Sequence, residues 1–218
     1  MSISQNLDAI RQTLPKGVEL IVVSKYQPVE KLQEAYDCGE RVFGESRPQE
    51  LVKKYESLPK DIKWNMIGAL QTNKVKYIAP FIGLIHSGTS SKLFEVIDKE
   101  AKKCDRVVDV LFEIHVAQEE SKHGWEKSEL LEYLANGGHQ TLNNIRFRGV
   151  MAMASFTYDT SLVKREFKHA KELFDEIKQN FFADKNYFDT ISMGMSGDYK
   201  LAIEKGATMV RIGTSIFR

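Results

Sequence analysis

Two textures of apolar residues alternate along the chain. Short runs rich in β-branched residues read as buried strands. They fall at Glu19–Ser24, Arg41–Phe43, Lys63–Ile67, Phe81–His86, Val107–His115, Ile145–Met153, Phe188–Ser192 and Thr208–Ile212. Between them lie stretches with helical period. VEKLQEAYDCG puts Leu32, Ala35 and Tyr36 on one face and stops at Gly39; SSKLFEVIDKEAKKC does the same with Leu93, Val96, Ile97 and Ala101. LVKREFKHAKELFDEIKQ runs Val163, Phe167, Ala170, Leu173, Phe174 and Ile177 along one side. Ser90 and Ser128 suit helix N-caps.

Strands that alternate with helices argue for a parallel sheet with helical crossovers. Eight such units, with no linker or repeat between them, predict an α/β fold: one (β/α)₈ TIM-type barrel domain spanning residues 1–218. A doubly wound sheet is the alternative, because alternation alone does not establish closure. The eighth strand has little chain after it. The amphipathic start (Leu7, Ile10, Leu14) predicts an extra N-terminal helix that covers this gap or the barrel floor.

Composition narrows the class. The 218 residues are 42% hydrophobic and 28% charged, ordinary for a globular protein. Lys+Arg is 31 against 30 Asp+Glu, so no basic excess invites nucleic acid or an anionic membrane. Cys38 and Cys104 lack CxxC spacing, and the five histidines show no metal-binding spacing. The N-terminus has no signal-peptide pattern, and the longest mostly apolar stretch, Tyr77–Ile85, is broken by Pro80 and Gly83. A cytoplasmic protein is expected. The charges at Glu119, Glu120, Lys122, Glu126 and Lys127 read as a solvated loop.

In a parallel barrel the active site lies where the strands end. Reading past each run gives Lys25; Gly44-Glu45-Ser46; Gly68 with Gln71 and Asn73; His86-Ser87; His115; Met151–Met153; SMGMSGD, residues 192–198; and RIGT, residues 211–214. The last two are glycine- and hydroxyl-rich, at the positions where barrels often bind phosphate. Neither is a GxGxxG nor a P-loop element. Lys25 is either a snorkelling lysine or, once deprotonated, a Schiff-base nucleophile. A lysine beside a phosphate site suits pyridoxal 5′-phosphate or a sugar phosphate. Arg211, inside the last run, either forms an ion pair with Glu19 or Glu113 or points at a ring nitrogen or phosphate. His86 and His115 read as structural histidines, and Met151, Met153, Met193 and Met195 as core filling.

The segments VSKYQPVEKLQEAYDCGERVFGES, WNMIGALQTNK, LIHS and SMGMSGDYKLAIEKGATMVRIGTSIF, in this order, resemble the pyridoxal 5′-phosphate homeostasis protein family. That family's barrel is similar to the N-terminal domain of alanine racemase. The resemblance covers nearly the whole chain. It implies that Lys25 would hold pyridoxal phosphate as a Schiff base. Ser196, Gly213 and Thr214 would bind the phosphate, and Arg211 would face the pyridine nitrogen. Two positions depart from the family pattern: Ser46 stands where it usually has Asn, and Asn65 where it usually has His.

The implied function is reversible cofactor binding in vitamin B6 homeostasis, without appreciable turnover. A monomer is expected, with apo-enzymes that use pyridoxal phosphate as acceptors. The competing readings are a pyridoxal-phosphate-dependent amino-acid racemase and a lyase working through a sugar-phosphate Schiff base. Racemases of the alanine type add a second domain to the barrel, which 218 residues do not accommodate.

Overall fold

A computed structural model describes residues 2–117 and 124–218. The described strands are β1 (Glu19–Val23), β2 (Val42–Glu45), β3 (Lys63–Met66), β4 (Leu84–Gly88), β5 (Val108–Glu113), β6 (Ile145–Met151), β7 (Thr190–Ser192) and β8 (Met209–Ile212). All pair in parallel, each with the next, and β8 returns to β1 to close the barrel. Four residue pairs register that seam, from Glu19 beside Met209 to Val22 beside Ile212. The doubly wound alternative is therefore excluded.

The helices are α1 (Ile3–Arg11), α2 (Val29–Asp37), α3 (Pro48–Ser57), α4 (Val75–Ile78), α5 (Ser91–Lys103), α6 (Lys127–Ala135), α7 (Thr160–Phe181), α8 (Tyr199–Glu204) and α9 (Thr214–Phe217). Local chemistry sets their ends. Ser2 and Gln5 form a capping box at the start of α1. Ser90 caps α5 by accepting from the Leu93 amide. Gly39 follows α2 with φ of +96°, the left-handed turn that stops a helix and suits glycine. The expected cap at Ser128 is displaced: α6 begins at Lys127 after Glu126, so Ser128 lies within its first turn.

The expected N-terminal helix is present. It packs on α2 and α9, and the Asn6 amide donates to the Ile216 carbonyl at 2.9 Å. It thus covers the β8–β1 seam from outside, where the four-residue α9 offers little cover of its own.

Alternation along the strands sorts two cores. The larger fills the space between barrel and helices, with Trp64, Phe43, Phe94, Phe112 and Phe167 fully buried. The smaller lies inside the barrel and comprises Ile21, Leu84, Leu111, Met151 and Met209. Inside the barrel and above this plug, side chains become polar.

Two strand limits differ from the expected ones and move chemistry with them. β2 extends to Glu45, which is buried rather than in a loop. β5 stops at Glu113, leaving His115 beyond the strand, paired with Glu126 at 2.8 Å. Of the charge run read as a solvated loop, Glu119, Glu120 and Lys122 lie outside the described residues; Lys127 pairs with Glu176 at 2.7 Å.

Candidate functional site

A cavity of about 1050 Å³ opens at the C-terminal end of the barrel. Lys25, Ser196, Arg211, Gly213 and Thr214 all line it, as do Ser46, Gly68, Gln71, Met153 and Met195. His86, Ser87 and Met193 do not reach the wall: each is buried within its layer of the fold. The strand-end reading thus finds half of the lining residues, and over-counts where a side chain turns inward or back into the core.

Beyond β7 and β8, the amides of Ser196, Gly197, Gly213 and Thr214 find no acceptor among the described residues. Unpaired backbone donors gathered at one wall form a seat for an anion. The loop is shaped from within: Asp198 accepts the Met195 amide at 2.6 Å. Burial raises the Asp198 pKa, a rise that its hydrogen bond and Arg211 oppose. Gly194 takes φ of +93°, and a Cβ there would come within 2.6 Å of Ala202. A Cβ on Gly213 would come within 2.7 Å of the Val23 carbonyl, so glycine lets β8 lie close to β1. A Cβ on Gly197 would meet no protein atom within 4 Å. Packing does not dictate that glycine.

Arg211 is buried beneath this seat. Neither anticipated ion pair forms. Its Nη1 donates to the Ser192 carbonyl at 2.9 Å and to Ser192 Oγ at 2.6 Å, and its Nη2 to the Ala152 carbonyl at 3.1 Å. Burial draws its pKa down to about 10, which still leaves it cationic at neutral pH.

The chain of bonds continues across the barrel. His86 Nδ1 lies 3.1 Å from Ser192 Oγ, and His86 Nε2 lies 3.1 Å from Asn65 Oδ1. The Asn65 amide nitrogen donates to the Phe43 and Lys63 carbonyls, so its oxygen must accept. His86 therefore carries its proton on Nε2 and accepts the Ser192 hydroxyl proton at Nδ1. Burial first, then the Arg211 charge, hold its pKa well below 6.5. Asn65, which departs from the family pattern, is thus a working member of this line. Sequence reading marked His86 as structural; that Asn65, His86, Ser192 and Arg211 form one line emerges only from the inward register of β3, β4, β7 and β8.

Lys25 sits in a turn directly after β1 and is exposed. The Gln27 amide closes the turn onto the Ser24 carbonyl at 3.0 Å. Tyr26 adopts φ of +64°, a left-handed geometry that costs a non-glycine residue energy. Behind the turn, Glu45 and Lys54 form a buried ion pair at 2.5 Å. Glu45 stands among the strand-end candidates of the sequence, but no sequence signal singled out Lys54 or the pairing.

The family model for the alanine racemase N-terminal domain matches residues 1–218, and the chain belongs to that class of barrel proteins. The pyridoxal phosphate homeostasis protein of Aquifex aeolicus is 41% identical over 203 residues, covering 91% of this chain and 86% of its own length. That of Schizosaccharomyces pombe is 33% identical, covering 97% and 90%. The chain is a member of the pyridoxal phosphate homeostasis protein family. Among solved structures, PipY of Synechococcus elongatus with PLP bound superposes with a TM-score of 0.91 at 32% identity over the full length of both chains. An alanine racemase of Clostridium difficile 630 shares the fold (TM-score 0.79, 13% identity), this chain covering 59% of it.

Proposed function

We propose that the chain binds pyridoxal 5′-phosphate at the barrel mouth through Lys25, Ser196, Arg211, Gly213 and Thr214. It serves vitamin B6 homeostasis as a carrier rather than a catalyst. One observation carries the reading: a lysine beyond β1 shares its cavity with four acceptor-less amides beyond β7 and β8. The PLP held by PipY, a full-length relative, supports the same occupant.

Those residues fit the group. Amides and the Ser196 and Thr214 hydroxyls would hold the phosphate with neutral donors. Arg211 would face the ring nitrogen, and its fixed cation opposes a second positive charge there. The neutral His86 behind Ser192 leaves that cation undivided. Bound here, pyridoxal phosphate supplies an aldehyde with which an amine can condense, losing water. A ring nitrogen kept unprotonated stabilises a carbanion poorly, which favours storage over turnover. Lys25 is exposed, so an aldehyde held there would be open to the incoming amine of an acceptor. We propose that the carrier acts as a cytoplasmic monomer and passes its cofactor to apo-enzymes. No described helix is long and apolar enough to cross a membrane.

The test is an absorbance spectrum of wild type and Lys25→Ala, before and after borohydride. A visible band that reduction bleaches and the variant lacks is expected. A protein that stays colourless with added pyridoxal phosphate overturns the reading. Exchange of an amino acid's α-proton in deuterated water separates carrier from racemase. No exchange above that of free cofactor is expected, and sustained exchange lost in Lys25→Ala would make the protein an enzyme.

A further inference from the structure

The ion pair behind the Lys25 turn has no part in the site as described above. Its geometry gives it one. Lys54, from α3, and Glu45, the last residue of β2, have side chains only 4% and 1% exposed. Burying two charges is costly, and a well-packed apolar pair would stabilise the fold as well or better. The ion pair makes specific contacts in return. Lys54 Nζ donates to the Ser24 carbonyl at 2.9 Å. Glu45 Oε1 accepts the Ser24 hydroxyl at 2.6 Å. Ser24 is therefore gripped at both its carbonyl and its side chain, and its amide is bonded to the Gly44 carbonyl at 3.0 Å.

The gripped carbonyl is the acceptor that closes the turn from Ser24 to Gln27. Lys25 and Tyr26 are the two central residues of that turn. A turn with left-handed geometry at its third residue ordinarily takes glycine or asparagine there. Here it is a tyrosine, 72% exposed, whose ring meets the Arg47 guanidinium at 5.3 Å, so little packing fixes it in place. Left to itself, such a turn would relax toward backbone conformations that re-aim Lys25.

We propose that Glu45 and Lys54 are positioning residues for Lys25: their buried ion pair clamps Ser24 and so sets the strained turn that aims the lysine amine into the cavity. The proposal rests on pyridoxal phosphate binding as read above. The pair is neutral as a whole and acts through backbone geometry. Condensation of the Lys25 amine with the aldehyde forms one C=N bond and releases one water. Its rate depends steeply on where the nitrogen is held. Phosphate and ring contacts, made by other strands, do not depend on the clamp.

The experiment uses that division. Lys54→Met alone leaves Glu45 buried without its ammonium, so the informative variant is Lys54→Met with Glu45→Gln, which removes both charges and keeps an acceptor for Ser24. Two readouts are taken on the full chain. One is the rate at which the visible band grows when pyridoxal phosphate is added to cofactor-free protein. The other is calorimetric affinity for pyridoxine 5′-phosphate, which carries the ring and phosphate but an alcohol in place of the aldehyde. The band is expected to form at least about tenfold more slowly, with analogue affinity unchanged. Glu45→Asp, which keeps both charges and withdraws the carboxylate by one methylene, is expected to slow the band without unfolding the chain. Wild-type rates in these variants overturn the proposal, as does a parallel loss of analogue affinity. No band in the wild type would instead overturn the binding reading itself.

Discussion

At the N-terminal end of the barrel, Asp109 accepts from Arg146 at 2.6 Å and from Arg148 at 3.0 Å, and Arg148 reaches on to Asp189 at 3.0 Å. That end has its own cavity, of about 550 Å³. At the C-terminal end, four amides and Lys25 face a larger space. Both ends carry polar walls and room for a ligand. They differ in whether their groups already have partners. At the floor, Asp109, Arg146, Arg148 and Asp189 are matched among themselves, which contributes to holding the strands together. At the mouth the four amides have no acceptor among the described residues, and an unmatched donor is where a ligand gains most. Volume alone does not separate the two.

The sharpest way to break the comparison is at the phosphate seat. Ser196→Ala and Thr214→Ala should each cost about 0.5–3 kcal/mol of pyridoxal phosphate affinity, measured by titration, with the melting temperature unchanged. Equal affinity in both variants would remove the hydroxyls from the site. The floor should answer in reverse. Asp109→Asn leaves two arginines short of a carboxylate that is only 13% exposed. Stability should fall by about 1–2 kcal/mol, between surface and buried ion pairs, and affinity should not change; a chemical denaturation curve and the same titration check both.

The third prediction tests the polar line under the mouth. His86 stays neutral in the fold well below 6.5, while the unfolded chain takes up a proton near that pH. As pH drops below 6.5 the unfolded state binds the extra proton, so stability falls, by up to about 1.4 kcal/mol per pH unit. His139, also lowered by burial, adds with the same sign. The difference between wild type and His86→Gln in denaturation curves from pH 7 to 5 isolates the His86 share; identical slopes would remove it. The smallest effect is the most pointed. Gly197→Ala meets no protein atom and should stabilise the free protein by about 0.4–1 kcal/mol. The same methyl should crowd a phosphate and weaken binding. A rise in both stability and affinity would place the phosphate elsewhere.

Much of this was legible in the residues. Strands and helices follow from period alone, and Lys25, SMGMSGD and RIGT stand at strand ends, where a mouth must be. Closure was not legible, because pairing of β1 with β8 is a long-range event that no local pattern encodes. Glu45 was read as part of a strand-end loop, and Lys54 sits in the run Lys53-Lys54-Tyr55-Glu56, which has the texture of a wetted helix face. Only the helix rotation turns Lys54 inward while Lys53 stays 75% exposed. Arg211 was assigned two fates, and its actual partners, a serine and two carbonyls, offer no charge for a sequence reader to match.

The seam between β1 and β8 brings Ile21 beside Arg211, and so Lys25, just beyond β1, near the glycine-rich segment beyond β8. Those two halves are made at opposite times during synthesis. A growing chain holds Lys25 before seven of the eight strands are made and acquires Thr214 only after all eight. A small molecule grasped by both, as proposed, would recognise completed barrels alone and staple their final joint. It would add RT ln(1 + [L]/Kd) to the stability of finished molecules and nothing to partial ones. The cell's supply of that molecule would then be recorded in how long each copy of the protein survives proteolysis.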